Sequence, residues 1–180
     1  FLADNASMDL ANGKQLSLTK AFQVPHGLKL EMIGTGGGIL SLTETLKLTG
    51  ILQFSAPNYT VQNGTLELSR GLLDVDENTI IASNIDLSND STVDIAQGVN
   101  LQYQGLSIYI NGYQLTFLGS GTFSNSNSIV LNHENSLLIF IGDITILLIE
   151  VTGNSAAGKG IRVESAGASV TNLNLLADMG

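Results

Sequence analysis

Residues Gln97 to Leu118 read QGVNLQY-QGLSIYI-NGYQLTF-L, three consecutive seven-residue units that open with Gln-Gly, Gln-Gly and Asn-Gly. After each opening pair comes a five-residue run that alternates apolar and polar. Val99, Leu101 and Tyr103 are expected on one face, followed by Leu106, Ile108 and Ile110, then Tyr113, Leu115 and Phe117. Asn100, Gln102, Ser107, Tyr109, Gln114 and Thr116 fall on the other. Period-two alternation bounded by Gly and Asn marks short half-buried strands. A short period sustained over such a stretch points to a repeat architecture.

The same style extends outward in both directions. Strands are expected at Gln15–Thr19, Phe22–Val24, Leu28–Ile33, Ile39–Thr43, Leu46–Thr49 and Ile51–Phe54. The cluster Gly34-Thr-Gly-Gly-Gly38 suits a tight corner, and Ala56-Pro57-Asn58 a longer one. Leu66, Leu68, Leu73, Val75, Ile85, Leu87, Val93 and Ile95 are the inward candidates of the next units. The stretch GSGTFSNSNS after Leu118 reads as a loop, and Ile129–Leu131, Leu137–Ile141, Ile144–Val151, Ile161–Glu164 and Val170–Leu176 as further strands. No window carries a helical stripe, so the chain is expected to be all β.

Asn-Gly between alternating runs also signals a hairpin, so an antiparallel meander or sandwich competes. A meander of roughly twenty short strands would exceed the ten or so that open sheets usually hold. A sandwich would need longer crossing connections at regular places. A right-handed parallel β-helix satisfies both constraints: three short strands per coil, about 21 residues per coil, and eight or nine coils. Units such as NGTLELS, QGVNLQY and QGLSIYI then resemble the degenerate coils of right-handed β-helix surface proteins, the passenger regions of autotransporter and filamentous-haemagglutinin-type adhesins. The likeness covers Gly27 to the end and is one of coil style, with no diagnostic motif and no functional residue carried over. It implies an extracellular or cell-surface structural and adhesive role.

Composition narrows the partners. The net charge of −9 with seven scattered basic residues disfavours nucleic acid and anionic lipid. Absence of cysteine removes disulfides, thiolate catalysis and Cys-ligated zinc. The most apolar window, Leu137 to Val151, is interrupted by Gly142-Asp143 and falls short of the roughly twenty residues that span a bilayer, so two buried strands are expected. The chain opens on Phe1 and ends LNLLADMG without an evident cap, which suggests a single solenoid domain or a segment of a longer one, with residues 1–14 as lead-in or cap.

Candidate sites are few. Glu67, Asp74, Asp76, Asp86 and Asp94 share outward parity, and Glu67/Asp86 and Asp74/Asp94 are spaced about one coil apart. Stacked carboxylates could take a cation or serve as an acid/base pair on a polysaccharide, with Asp74, Asp86, Asp94 and the outward Tyr109 as the carbohydrate face. A solvated acidic face is the plainer reading. Leu137-Leu-Ile-Phe-Ile141 and Ile146-Leu-Leu-Ile149 are apolar on both parities, which makes Leu138, Phe140, Leu147 and Ile149 candidates for an interface. Gly153-Asn-Ser-Ala-Ala-Gly158-Lys159 has the spacing of a phosphate loop, but Gly160 stands where Ser or Thr must hold magnesium. His26 and His133 read as turn residues, and the sequons at Asn5, Asn58, Asn63 and Asn89 as chance in an Asn-rich chain. No catalytic constellation and no cofactor motif emerge. The leading expectation is a self-associating structural or adhesive module, possible partners being further copies of itself and surface glycans. The competing one is a carbohydrate-binding or carbohydrate-cleaving β-helix.

Overall fold

The structure is a computed structural model that describes residues 1–125, 127–155, 160–164, 167 and 169–179. Strands follow one another with the same rhythm throughout. The first coil is β1 (Ala6–Asp9), β2 (Gln15–Leu18) and β3 (Phe22–Val24), and the second β4 (Lys29–Ile33), β5 (Ile39–Leu42) and β6 (Thr45–Leu48). In the third and fourth, β7 (Ile51–Phe54) leads into the long β8 (Tyr59–Leu68), and β9 (Leu72–Val75) into β10 (Thr79–Leu87). Three-strand coils return with β11 (Ser91–Ile95), β12 (Asn100–Tyr103) and β13 (Ser107–Tyr109), then β14 (Gln114–Gly119), β15 (Thr122–Asn125) and β16 (Ser128–Leu131). The last rungs are β17 (Leu137–Gly142) with β18 (Thr145–Ser155), and β19 (Gly160–Val163) with β20 (Ser169–Met179).

Every pairing among these strands is parallel, each strand lying beside its counterpart one coil away. The first face is an eight-stranded sheet in the order β1-β4-β7-β9-β11-β14-β17-β19. The second and third faces belong to one twelve-stranded sheet, because β8, β10, β18 and β20 run through the corner between them. The chain is therefore a parallel β-solenoid of about 7 turns with a repeat near 22 residues. Eight rungs on the first face bound those turns, at the lower end of the eight or nine coils expected, and ladder partners lie from 20 residues apart (Leu72 and Thr92) to 24 (Ala6 and Leu30). Neighbouring segments never fold back on one another among the described residues, which excludes the meander and the sandwich.

Alternation produces the core. Inward columns such as Leu30–Leu52–Leu73–Val93–Phe117–Phe140 follow the ladder register, and all six side chains are buried. Leu66, Leu68, Leu73, Val75, Ile85, Leu87, Val93 and Ile95 are buried as expected. Corner polar groups find partners on the next coil: Asn100 N–H donates to Asn78 Oδ1 at 2.8 Å, Asn111 N–H to Asn132 Oδ1 at 2.7 Å, and Asn127 Nδ2 to Gly105 O at 2.6 Å. These bonds satisfy backbone groups that a corner takes out of the ladder. Tyr59, fully buried, receives Leu10 N–H at 2.9 Å and donates to Ile33 O at 2.7 Å, tying the third coil to the first two.

Several local expectations change. Leu106 is 77% exposed, not inward, because Gly105-Leu106 is the corner before β13 and corner residues leave the alternation; its N–H is held by Asn84 Oδ1 at 3.2 Å. Thr116, expected outward, is buried beside Ile139 on the first face. The stretch after Leu118 contains β15, and residues 1–14 contribute β1 as a paired first rung.

Candidate functional site

The third face presents one continuous outward ladder, Gln23–Lys47–Glu67–Asp86–Tyr109–Val130. Parallel pairing brings each to within about 4.8 Å of the next along the rod. Glu67 forms an ion pair with Lys47 and receives the Ser88 hydroxyl. Burial pushes its carboxyl up, but the hydrogen bonds from Lys47 and Ser88 and the Lys47 charge outweigh that, and the net shift is downward. Asp86 lacks such a cation; burial first, then the Glu67 charge, raises its carboxyl. Tyr109, 38% exposed, stands on the next rung, so Asp86 and Tyr109 are neighbours.

Asp74 and Asp94 also pair as their spacing predicts, but on the first face. The single Asp74/Asp86/Asp94 face is therefore corrected to two faces, because β9 and β11 belong to the eight-stranded sheet and β10 to the other. Parity told outward from inward; it could not tell which of three sides a strand occupies. On the first face Lys29 bridges Glu31 at 3.0 Å and donates to Gln53 Oε1 at 2.8 Å, and Gln53 Nε2 donates to Asp76 Oδ2 at 2.7 Å. Burial, then the charges of Asp76 and Asp94, push Asp74 up to about 6, with Lys29 pulling the other way. Among the described residues no three His, Cys, Asp or Glu side chains stand close enough to hold a metal ion together.

A pH consequence follows from Asp74. Its folded pKa lies above the unfolded value of 3.8, so the folded state binds the extra proton between about 4 and 6. Stability from this group is full below that window and is lost as pH rises through 6. Asp74→Asn should therefore raise the unfolding free energy at pH 7.5 by about 1 kcal/mol, a figure reduced for the half-exposed carboxyl. At pH 4 the gain should vanish. Chemical denaturation of both proteins at the two pH values checks the sign.

The apolar interface expected on β17 is not on the surface. Leu138 and Phe140 point inward and are 0% and 1% exposed, so they are core residues, and their alternates Leu137 and Ile139 are buried as well. Leu147 is outward and 36% exposed, next to Ser124. The Ile149 side chain and residues 156–159 of the Gly153–Lys159 loop lie outside what the structure describes; Gly153 itself falls within β18.

One feature had no signal in strand periodicity. At the corner from the third face to the first, Gln23, His26, Thr49, Ser69, Arg70 and Asn89 line an open groove of about 420 Å³. Four successive coils supply these residues, all but the β3 residue Gln23 from their turns, and turns were read only as punctuation. A second groove of about 380 Å³ adjoins it through Gln23 and reaches Lys47 and Glu67 on the third face. His26 thus lines a groove, whereas His133 accepts the Asn135 N–H at 3.1 Å in a corner.

Comparison of the chain with protein-family models, curated proteins and solved structures returns no match. The parallel solenoid stands on the ladder register alone, and the likeness to adhesin passenger regions remains one of coil style.

Proposed function

We propose that this chain is a structural and adhesive module of an extracellular or cell-surface assembly, built to stack end to end with further coils. What supports the reading most is the condition of the core columns at the two ends of the rod. The column beginning at Ala6 on β1 ends at Val163 on β19, and Val163 is 47% exposed although its parity is inward. At the opposite end Met8, Leu10, Leu16, Leu18 and Phe22 pack on the core only in part. Each end rung also has one pairing edge without a strand against it among the described residues. Apolar rows flanked by unpaired N–H and C=O groups template another coil, and unlike ends meeting head to tail produce a filament.

The test is the size of the assembly. Light scattering and electron microscopy of the purified chain should show oligomers or rods that lengthen with concentration, and with salt, which screens the net charge of −9. The double substitution Met8→Lys, Leu18→Lys charges the first rung, and it should leave a folded monomer with unchanged β-sheet circular dichroism. A wild-type chain that stays monomeric at its solubility limit, in low and high salt, would sink the reading.

A further inference from the structure

We infer that the groove at the corner between the third and first faces binds a carboxylate-bearing saccharide, an oligomer of uronic acid, with the Arg70 guanidinium taking its anionic group. Among the described residues four non-glycine residues have left-handed backbone: Asn58, Asn63, Asn111 and Arg70. Asparagine tolerates that region because its short amide bonds locally; arginine gains nothing of the kind and carries the full strain. Glycine at position 70 would relieve it. The residue held there against its backbone preference is the one charged side chain of the groove, and strain retained in this way marks positions kept for what the side chain does.

The surroundings identify the charge and class of the ligand. Lys29, Lys47 and Arg162 are each paired with a glutamate, whereas Arg70, like the exposed Lys14 and Lys20, has no carboxylate partner among the described residues, and of these three only Arg70 lines a groove. No carboxylate lines the groove, in a chain with sixteen acidic residues. The nearby Asp90 faces the following coil, where its Oδ1 accepts the Gln114 N–H at 2.8 Å. The remaining lining is polar: the Thr49 hydroxyl donates to Val24 O at 3.0 Å and receives Gln23 Nε2 at 3.2 Å, and Asn89 Oδ1 accepts the Asp90 N–H at 3.0 Å. The Gln23 Oε1, His26 imidazole, Ser69 hydroxyl and Asn89 Nδ2 are groups that match sugar hydroxyls. A planar guanidinium engages a carboxylate through two parallel N–H donors. Since each coil contributes from its turn, a ligand lying along the corner meets a polar side chain at every rise of about 4.8 Å, which suits a polymer of repeating units. Nucleic acid would need a row of cations, and only one is present. The groove does not depend on end-to-end stacking, so the two readings fail separately.

The test is titration of the whole chain with a uronic-acid tetrasaccharide and with its carboxyl-reduced neutral counterpart, followed by amide chemical shifts and calorimetry. The acidic sugar should bind, shift amides around residues 26, 49, 70 and 89, and weaken with salt; the neutral sugar should bind at least about tenfold more weakly. Arg70→Gly should lose binding by about tenfold while melting at the same or a higher temperature. Arg70→Lys, which keeps the charge but not the fork, should fall between. The inference is overturned if the acidic sugar does not bind, if both sugars bind equally, if Arg70→Gly binds like the native chain, or if it melts lower, since Arg70 would then serve the fold.

Discussion

Phe117→Ala is expected to lower the unfolding free energy by about 3–5 kcal/mol, the range for emptying a buried aromatic site. Phe117 is 1% exposed and lies at the centre of the aromatic part of the core. Its ring sits 5.6 Å from Phe140, stacked at 28°, and 4.4 Å from Phe123, tilted at 42°. The first two are ladder partners on β14 and β17, so truncation removes a contact within the column and one across it. On one flank the strands end in Gly119 and Gly142, which have no side chains to move in, and on the other Leu115 and Leu138 are themselves fully buried ladder partners, so any collapse has to come from there. Phe117→Leu, which refills most of the volume, should cost less than about 1.5 kcal/mol. Urea unfolding followed by far-ultraviolet circular dichroism separates the two, and a loss of under about 1 kcal/mol for alanine would mean the ring is not packed as described. Because each coil touches only its neighbours, hydrogen exchange should rise mainly in the coils flanking β14.

Gly36→Ala should be comparably severe, at about 2–5 kcal/mol, from two additive causes. The backbone there has φ +75°, and a Cβ would fall 1.8 Å from the Pro57 carbonyl oxygen. That oxygen is not free to retreat, since it accepts Gly37 N–H at 2.9 Å and so joins the second coil to the third. Gly13 supplies the control: φ is +71°, but a methyl group there would meet nothing within 4 Å. Gly13→Ala should therefore show only the backbone cost, about 1–2 kcal/mol. Equal effects at the two positions in the same denaturation assay would remove the steric half of the argument.

The glycine cluster at 34–38 was readable in the sequence as a tight corner because nothing but glycine accumulates left-handed residues so closely. The pairing of Glu67 with Asp86 and of Asp74 with Asp94 was also readable, since residues one coil apart with the same parity must meet in a parallel ladder. Other features lay beyond local pattern. Tyr59–Gln62 and Thr79–Ala82 look like turn and linker, yet they are the first halves of strands that continue through a corner, with a bulge opposite Ser83 where β10 meets β8. Leu106 follows its alternation on paper and breaks it in space because the corner, not the strand, sets its direction. Coil length varies from 20 to 24 residues, so face membership cannot be counted off at a fixed interval, and Asp86 drifted onto the wrong side. The Arg70 groove escaped for a related reason: its six residues come one or two at a time from four coils, and neighbours along the axis are strangers along the chain.

Parallel pairing on all three faces orients the interstrand hydrogen bonds along the shaft. A load applied at the two tips therefore acts on one coil boundary at a time instead of shearing a whole sheet at once. Yielding proceeds turn by turn from whichever tip is less well seated, releasing slack in portions of 20 to 24 residues. Pulled from its tips, such a shaft is expected to give way gradually, because each coil is held only by its neighbours.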